Sequence, residues 1–324
     1  MSRIEFQGLD VFAFADADTS EARAFTTYMG YWGAIARVIE MRYGSDFHAS
    51  LLQEIRNRRP VRKLGAARYQ GDQTELRQLL LGAWTQELGL YAVDDDDPRL
   101  MLQNLWNTVY AYYATSRAAA AFLLVRNDAP PPNHRKLLRS LAAIVKNSTL
   151  LPQPWSLSCT DAQAPSFGGF DVAPNEVSNL SSNADPFGLL AKALKTTRAK
   201  RVDQLAEIER TRTRRKRLAN GERVRIDEQC DATTVFDFLW RTRTRSNYGD
   251  PSMFYVGTLD DARSRQYVRA VRLVTGATML LFETLVATRA PNLVAEAGVH
   301  FISRDRTRLG DEVLGERLGA LGVL

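Results

Sequence analysis

Leu100 to Arg126 reads LMLQNLWNTVYAYYATSRAAAAFLLVR, a run without glycine or proline. Leu102, Leu105, Trp106, Val109, Tyr112 and Tyr113 recur at steps of three and four, the period of a helix, and predict one apolar face. Ala118–Ala121 lets a neighbouring helix approach closely. NDAPPP ends the segment, because proline lacks the N–H a helix needs and clashes with the preceding turn. An apolar helix face is costly to leave in water, so the rest of the chain must supply elements to cover it.

Several segments fit that role. Asp18 and Glu21 resemble a capping box, and EARAFTTYMGYWGAIARVIEMRYG then predicts a helix ending near Gly44, with Phe25, Tyr28, Trp32, Ile35 and Ile39 on one side. Helices are expected over Asp46–Arg58, stopping before Pro60, over Asp72–Leu88, and over His134–Lys146. DDDDP at Asp94–Pro98 suits a linker or a helix start. Leu150–Leu190 is rich in Pro, Ser, Asn and Gly. It is expected to be an ordered loop or insertion, since Trp155, Phe167 and Phe170 are costly to leave in water. Further helices are expected over Pro186–Ala219, ended by Asn220–Gly221, and over Ala232–Arg245 and Asp260–Ala287. GVHFISRD at 298–305 reads as a short strand or irregular tail. Strand signals are few, so the fold class is all-α.

Charge narrows the function. Between Lys192 and Arg217 there are eleven Lys or Arg and three acids, a larger surplus than the +6 of the whole 324-residue chain. Such a concentrated stripe suits a polyanion, and Arg210, Arg212, Arg214, Arg215, Lys216 and Arg217 are the candidate nucleic-acid contacts within it. An acidic face on another protein is the competing partner, and a solvated helix face is the ordinary fate of such a run. A second basic cluster, Arg241, Arg243 and Arg245, runs into the polar turn Asn247–Tyr248–Gly249–Asp250. Guanidinium groups bind phosphate bidentately, which makes this the candidate centre.

Two stretches carry a family resemblance. YAYYATSRAAAAFLLVRNDAPPPNHRKLLRSLA (Tyr110 to Ala142) resembles the first helical hairpin of HEPN domains. LWRTRTRSNYGDPSMFYVGTLDDARSRQYVRAVRLV resembles the second. The resemblance implies a four-helix up-down bundle over 96–324, with a loop and basic helix inserted at about 150–230, following an N-terminal helical region over 1–95. It further implies a nucleic-acid-binding protein of a bacterial defence or toxin system, RNA rather than DNA as ligand, a homodimer or a subunit of a defence complex, and no cofactor. Many such domains are metal-independent ribonucleases. Their motif is an Arg followed by four to six residues and a His, the histidine exchanging protons and the arginine holding the phosphate. Here Asn247, Tyr248 and Asp250 occupy the histidine window, so Arg243, Arg245, Asn247 and Asp250 are the candidate catalytic set and Arg241 a phosphate contact. A binding or docking subunit that does not cleave is the alternative.

Other chemistry is sparse. Arg42 and His48 also fit the spacing, but outside the resembling hairpins, and His134 at a helix start reads as a cap or packing residue. Cys159 and Cys230 lie far apart without metal-ligand spacing, which suits a reducing cytosol. Phosphate-binding, dinucleotide-binding and nucleophile-elbow motifs do not appear in the sequence. The first residues carry acids and no long apolar run, and no uninterrupted stretch reaches about 18 apolar residues, so a cytoplasmic protein without a membrane span is expected.

Overall fold

Most of the backbone amides of this chain are satisfied within helices. The computed structural model describes residues 19–44, 46–95, 97, 99–127, 129–161, 185–249, 251–255, 261–305 and 309–323. Its helices are α1 (Ser20–Tyr43), α2 (Phe47–Asn57), α3 (Arg59–Leu64), α4 (Gln73–Leu88), α5 (Leu100–Asn127), α6 (His134–Asn147), α7 (Pro186–Thr213), α8 (Asn220–Gln229), α9 (Val235–Thr244), α10 (Ser252–Tyr255), α11 (Asp261–Arg289), α12 (Pro291–Arg304) and α13 (Glu316–Leu321). Among the described residues the only sheet is two residues wide on each side. β1 (Ser158–Cys159) pairs antiparallel with β2 (Thr233–Thr234), Ser158 opposite Thr234. The chain is all-α.

Local chemistry starts the helices where short polar side chains can accept first-turn N–H groups. Asp72 accepts from Glu75 N, Asn133 from Lys136 N and Asp185 from Phe187 N, each at 3.0 Å. Four boundaries differ from the sequence expectation. Thr19, accepting from Ala22 N at 3.1 Å, caps α1, while Asp18 lies outside the described residues. Pro60 opens α3 rather than merely closing α2, since a first-turn proline has no N–H to lose. Helix α7 ends at Arg214, which takes a left-handed φ of 54°, and Asn220–Gly221 begin α8 instead of ending α7. The expected strand or irregular tail at 298–305 is helical through Arg304, because Val294, Ala297 and Gly298 bury a common side.

The core is built around α11. It contains an 18-residue window of mean hydropathy 1.5, and 89% of that window is covered by neighbouring elements. Helices α1, α2, α3, α5, α12 and α13 all pack against it. One hydrophobic cluster draws on both sides of position 95, joining Phe25, Trp32 and Trp84 to Phe122, Phe238 and Phe282. Trp155 is also fully buried and donates to Thr278 Oγ1 on α11 at 2.9 Å, so the described part of the connection after α6 packs on the core. Phe167 and Phe170 lie outside the described residues.

The first half of α5 reverses the expected polarity. Asn104, Asn107 and Thr108 are buried, while Leu102 and Trp106 are 66% and 51% exposed. Asn104 Nδ2 donates to Ser264 Oγ at 2.5 Å, but neither amide atom of Asn107 has a partner. Of the expected apolar face, Leu105 and the residues from Val109 onward meet the core, and Leu102 and Trp106 do not.

A charged cluster closes the far side of the core. Arg317 of α13 donates to Glu87 Oε1 and Oε2 at 2.8 and 2.6 Å, and to Glu283 Oε2 at 2.6 Å. Trp84 Nε1 donates to the other Glu283 oxygen at 2.7 Å. All three charged side chains are essentially without solvent contact, and burial pushes the Glu87 carboxyl upward against the pull of Arg317. Removing one member leaves charge stranded in the core, a loss of about 3–5 kcal/mol. Arg317→Met should therefore lower unfolding free energy by that order in urea titration. Adding Glu87→Gln and Glu283→Gln should recover most of it. An unchanged midpoint for the single variant would show that the cluster does not hold α13.

Candidate nucleic-acid interface

Helix α9 is anchored at its start and opened at its end. Thr234 N and Oγ1 both donate to Asp237 Oδ2, at 2.8 and 2.9 Å, and Phe236 and Phe238 plug into the core. From Arg245 to Gly249 the helix widens to a π turn, a local distortion common at functional sites. Ser246 holds the widened turn against α5, its Oγ donating to Thr242 O at 3.0 Å and lying 2.5 Å from Thr108 Oγ1.

The three arginines do not share one neighbourhood as their spacing suggests. Two residues advance a helix by about 200°, so Arg241 and Arg245 point one way and Arg243 the other. Arg241 Nη1 donates to Thr196 and Thr197 of α7 at 3.0 and 3.1 Å. Arg241 and Arg245 both lie over the ring of Tyr28 in α1, 5.3 and 5.4 Å from its centroid. Lys200 joins them. Its ammonium is pulled below its ordinary value, first by burial and then by the charges of Arg241 and Arg245.

Arg243 enters an aromatic box on the opposite side. Its guanidinium carbon is 5.1 Å from the rings of Tyr113 and Trp240 and 5.3 Å from that of Tyr248, and its Nη2 donates to Tyr113 OH. The π turn is what carries Tyr248 over a residue five positions earlier. His134 closes the box, 5.0 Å from Trp240 and 5.9 Å from Tyr113 between ring centroids, with Nδ1 2.8 Å from Tyr112 OH. Burial first, and the Arg243 charge second, hold His134 below its ordinary value, so its neutral form predominates near pH 7. Its place at the N-terminus of α6 acts in the same direction.

The position of His134 follows from chain lengths. From Tyr112 to Asn127, α5 advances about 22 Å. The seven steps from Asn127 to His134 reach about 22–25 Å when extended. Since His134 stands beside Tyr112, α6 starts well back along α5 from Asn127, a distance the connection is long enough to cover. Leu137 and Leu141 of α6 then line one crevice with Tyr112, Ser116 and Ala119.

Three arginines among the described residues are buried, and their surroundings differ. Arg317 has its two glutamates. Arg198 has Asp227 at 2.6 Å and the carbonyls of Cys159 and Asp231. Arg243 has one phenol oxygen, an Nε with no hydrogen-bond partner, and no carboxylate in ion-pair range among the described residues. A buried cation without an anion is costly, and a binding anion would relieve that cost.

The basic stripe is divided too. Arg198 and Arg201 are structural, Arg201 bridging Asp231 and Asp237 at 3.2 and 3.5 Å. Arg210 pairs with Glu207, Arg212 with Glu209 at 2.6 Å and Arg215 with Glu222 at 2.6 Å, all exposed pairs of little strength. Arg214, Lys216 and Arg217 are exposed. The segment 210–217 begins about 15 Å along α7 from Lys200, so it extends the basic surface without touching the α9 cluster.

Asn247 is half-buried in the π turn, and Asp250 lies outside the described residues. Arg42 faces Glu54 at 2.9 Å and His48 faces Glu316 at 3.7 Å, so this alternative Arg–His spacing forms no common site. Among the described residues no three His, Cys, Asp or Glu side chains converge as metal ligands do. Sequence reasoning missed Tyr28, Tyr113, Lys200 and Trp240 as partners of the arginines, and took His134 for a packing residue. Only the adjacency of Trp240 to Arg241 and the stiffness of PPP hinted at them. Comparisons with protein-family models, curated proteins and solved structures found no match in any of the three.

His134 should titrate below the 6.5 of an ordinary histidine in a proton NMR pH series, and Arg243→Gln should move it upward. Because the folded value is the lower one, stability linked to His134 is complete above about pH 6.5 and is lost as the pH falls toward the folded value. A titration at or above 6.5 in the native protein would contradict the proximity of the two charges.

Proposed function

We propose that the chain binds RNA at the end of α9 and cleaves it without a metal, as a HEPN-like protein of a bacterial defence or toxin system. The observation that carries this reading is that Arg243, buried with no carboxylate in ion-pair range among the described residues, shares one aromatic box with His134. Those two side chains supply in space the arginine and histidine that the sequence motif lacks in series. Helices α5, α6, α9 and α11, the elements of the two resembling hairpins, adjoin one another through α5 and α9, which supports the bundle resemblance. The extended α5–α6 connection is where this chain departs from it.

In this reading His134 accepts the proton of a ribose 2′-hydroxyl, whose oxygen attacks the adjacent phosphorus. The bond to the 5′-oxygen breaks, and that oxygen takes a proton from solvent while the imidazolium returns its own. Arg243 holds the charge that accumulates on the phosphate oxygens. Tyr248 is 74% exposed, so displacing one solvent-facing ring opens Arg243 to the anion. Arg241, Arg245 and Lys200 on the other side of α9, and the 210–217 segment beyond them, extend the field that attracts the strand. A homodimer follows from the same resemblance and is measurable by sedimentation.

Incubation of the protein with labelled single-stranded RNA and DNA in EDTA tests the reading. RNA alone should be cut, with a rate maximal above the His134 value and lower by about 10²–10⁴-fold in His134→Ala. Arg243→Ala and the double variant Arg243→Ala/Arg245→Ala should be inactive while retaining helical circular dichroism. A gel shift without cleavage would favour the non-cleaving binding subunit. Neither shift nor cleavage would leave a protein-docking subunit.

A further inference from the structure

Helix α5 spends stability on its outer face in a way its sequence need not. At the level of the Arg243 box it turns Asn107, whose amide has no partner, into the core, and leaves Leu102 and Trp106 in water. Such local inversions concentrate where function, not folding, fixes the residue. Trp106 is seven residues before Tyr113, two helical turns and about 10 Å, on the same side of α5. Tyr113 binds Arg243, and the exposed ring of Tyr248 lies on that same guanidinium. Of the five tryptophans, Trp32, Trp84 and Trp155 are fully buried and Trp240 is half-buried, so Trp106 is the one presented to solvent.

We infer that Trp106 and Tyr248 are base-stacking platforms, so that the ligand of the Arg243 site is a single-stranded nucleic acid whose bases are unpaired. This inference rests on the nucleic-acid reading above and specifies its substrate. Charge complementarity selects this occupant over an apolar protein segment. Tyr248 lies on a buried guanidinium that has no carboxylate in ion-pair range among the described residues, Trp106 stands two turns along α5 from that guanidinium's partner Tyr113, and the opposite side of α9 gathers Arg241, Arg245 and Lys200. A flat ring beside a phosphate-binding cation is the arrangement that takes one nucleotide, base on the ring and phosphate on the cation. In a duplex the base faces are already stacked on one another, so neither ring can be used.

The test is fluorescence-anisotropy binding of a labelled 12-nucleotide 2′-O-methyl RNA, which has no 2′-hydroxyl to attack the phosphorus, single-stranded and annealed to its complement. The protein variants are wild type, Trp106→Ala, Trp106→Phe, Tyr248→Ala and Arg243→Gln. The single strand should bind at least about ten-fold more tightly than the duplex. Trp106→Ala and Tyr248→Ala should each weaken it by about ten-fold or more without changing the slope of affinity against salt, since a base platform releases no counterion. Trp106→Phe should retain most of the affinity, and Arg243→Gln should flatten the salt slope. Equal affinity for duplex and single strand would overturn the inference, as would wild-type affinity in both alanine variants, while each would leave nucleic-acid binding intact. A change of oligomeric state in Trp106→Ala at unchanged RNA affinity would overturn it and assign the stripe to a second copy of the chain. No binding of either RNA by the wild type would overturn the underlying reading together with the inference.

Discussion

A mostly apolar helical segment has to be covered on every side. That requirement, set by residues 273–286 of α11, which are buried without interruption, organises the molecule. Each Leu, Val or Phe it buries contributes about 1.5–3 kcal/mol relative to exposure, and no single partner helix can collect that gain. Six helices from both ends of the chain therefore gather on it. The consequence is that residues near position 28, position 112 and position 241 are brought to the same rim, although more than two hundred residues separate the outermost of them.

The same covering leaves few ways to place charge. Arg317 and Arg198 enter the interior with carboxylates already in contact, so their cost is met within the fold. Arg243 enters with three aromatic rings and a phenol oxygen, interactions worth about 0.5–2 kcal/mol each for a cation on a ring. These fix where the guanidinium sits but do not neutralise it. In the reading proposed above, an arriving anion would meet this charge, which has no carboxylate partner among the described residues. His134, held below its ordinary value by burial and by the Arg243 charge, would accept the proton at the same place.

Much of the secondary structure was legible because helices are local. Asp72–Leu88 and His134–Lys146 could be read from capping residues and a 3.6-residue period, and the structure moves their boundaries by a residue or so. Errors fell where local signals are ambiguous. Proline both ends and begins helices, as Pro60 does. Asn–Gly suits either terminus, and at 220–221 it served the start. At Leu102 and Trp106 periodicity marked a face as apolar but could not say that this face meets solvent.

The arginine cluster was visible in the sequence as a composition, and its division was not. Alternating arginines in RTRTR look like one patch in a string, whereas a helix rotates successive members by about 200° and gives them to different neighbours. What the sequence by itself determined is the helical class, the helical segments at 100–126 and 260–287 and the two basic segments, since all of these depend on residue type and short spacing. Only the tertiary structure decided that Arg243 would be the buried arginine without a carboxylate among the described residues, and that His134, more than a hundred residues away in sequence, would stand beside it. Both outcomes depend on how far an extended Pro-rich connection reaches along a neighbouring helix and on which faces close packing leaves for one another, and no local pattern encodes either.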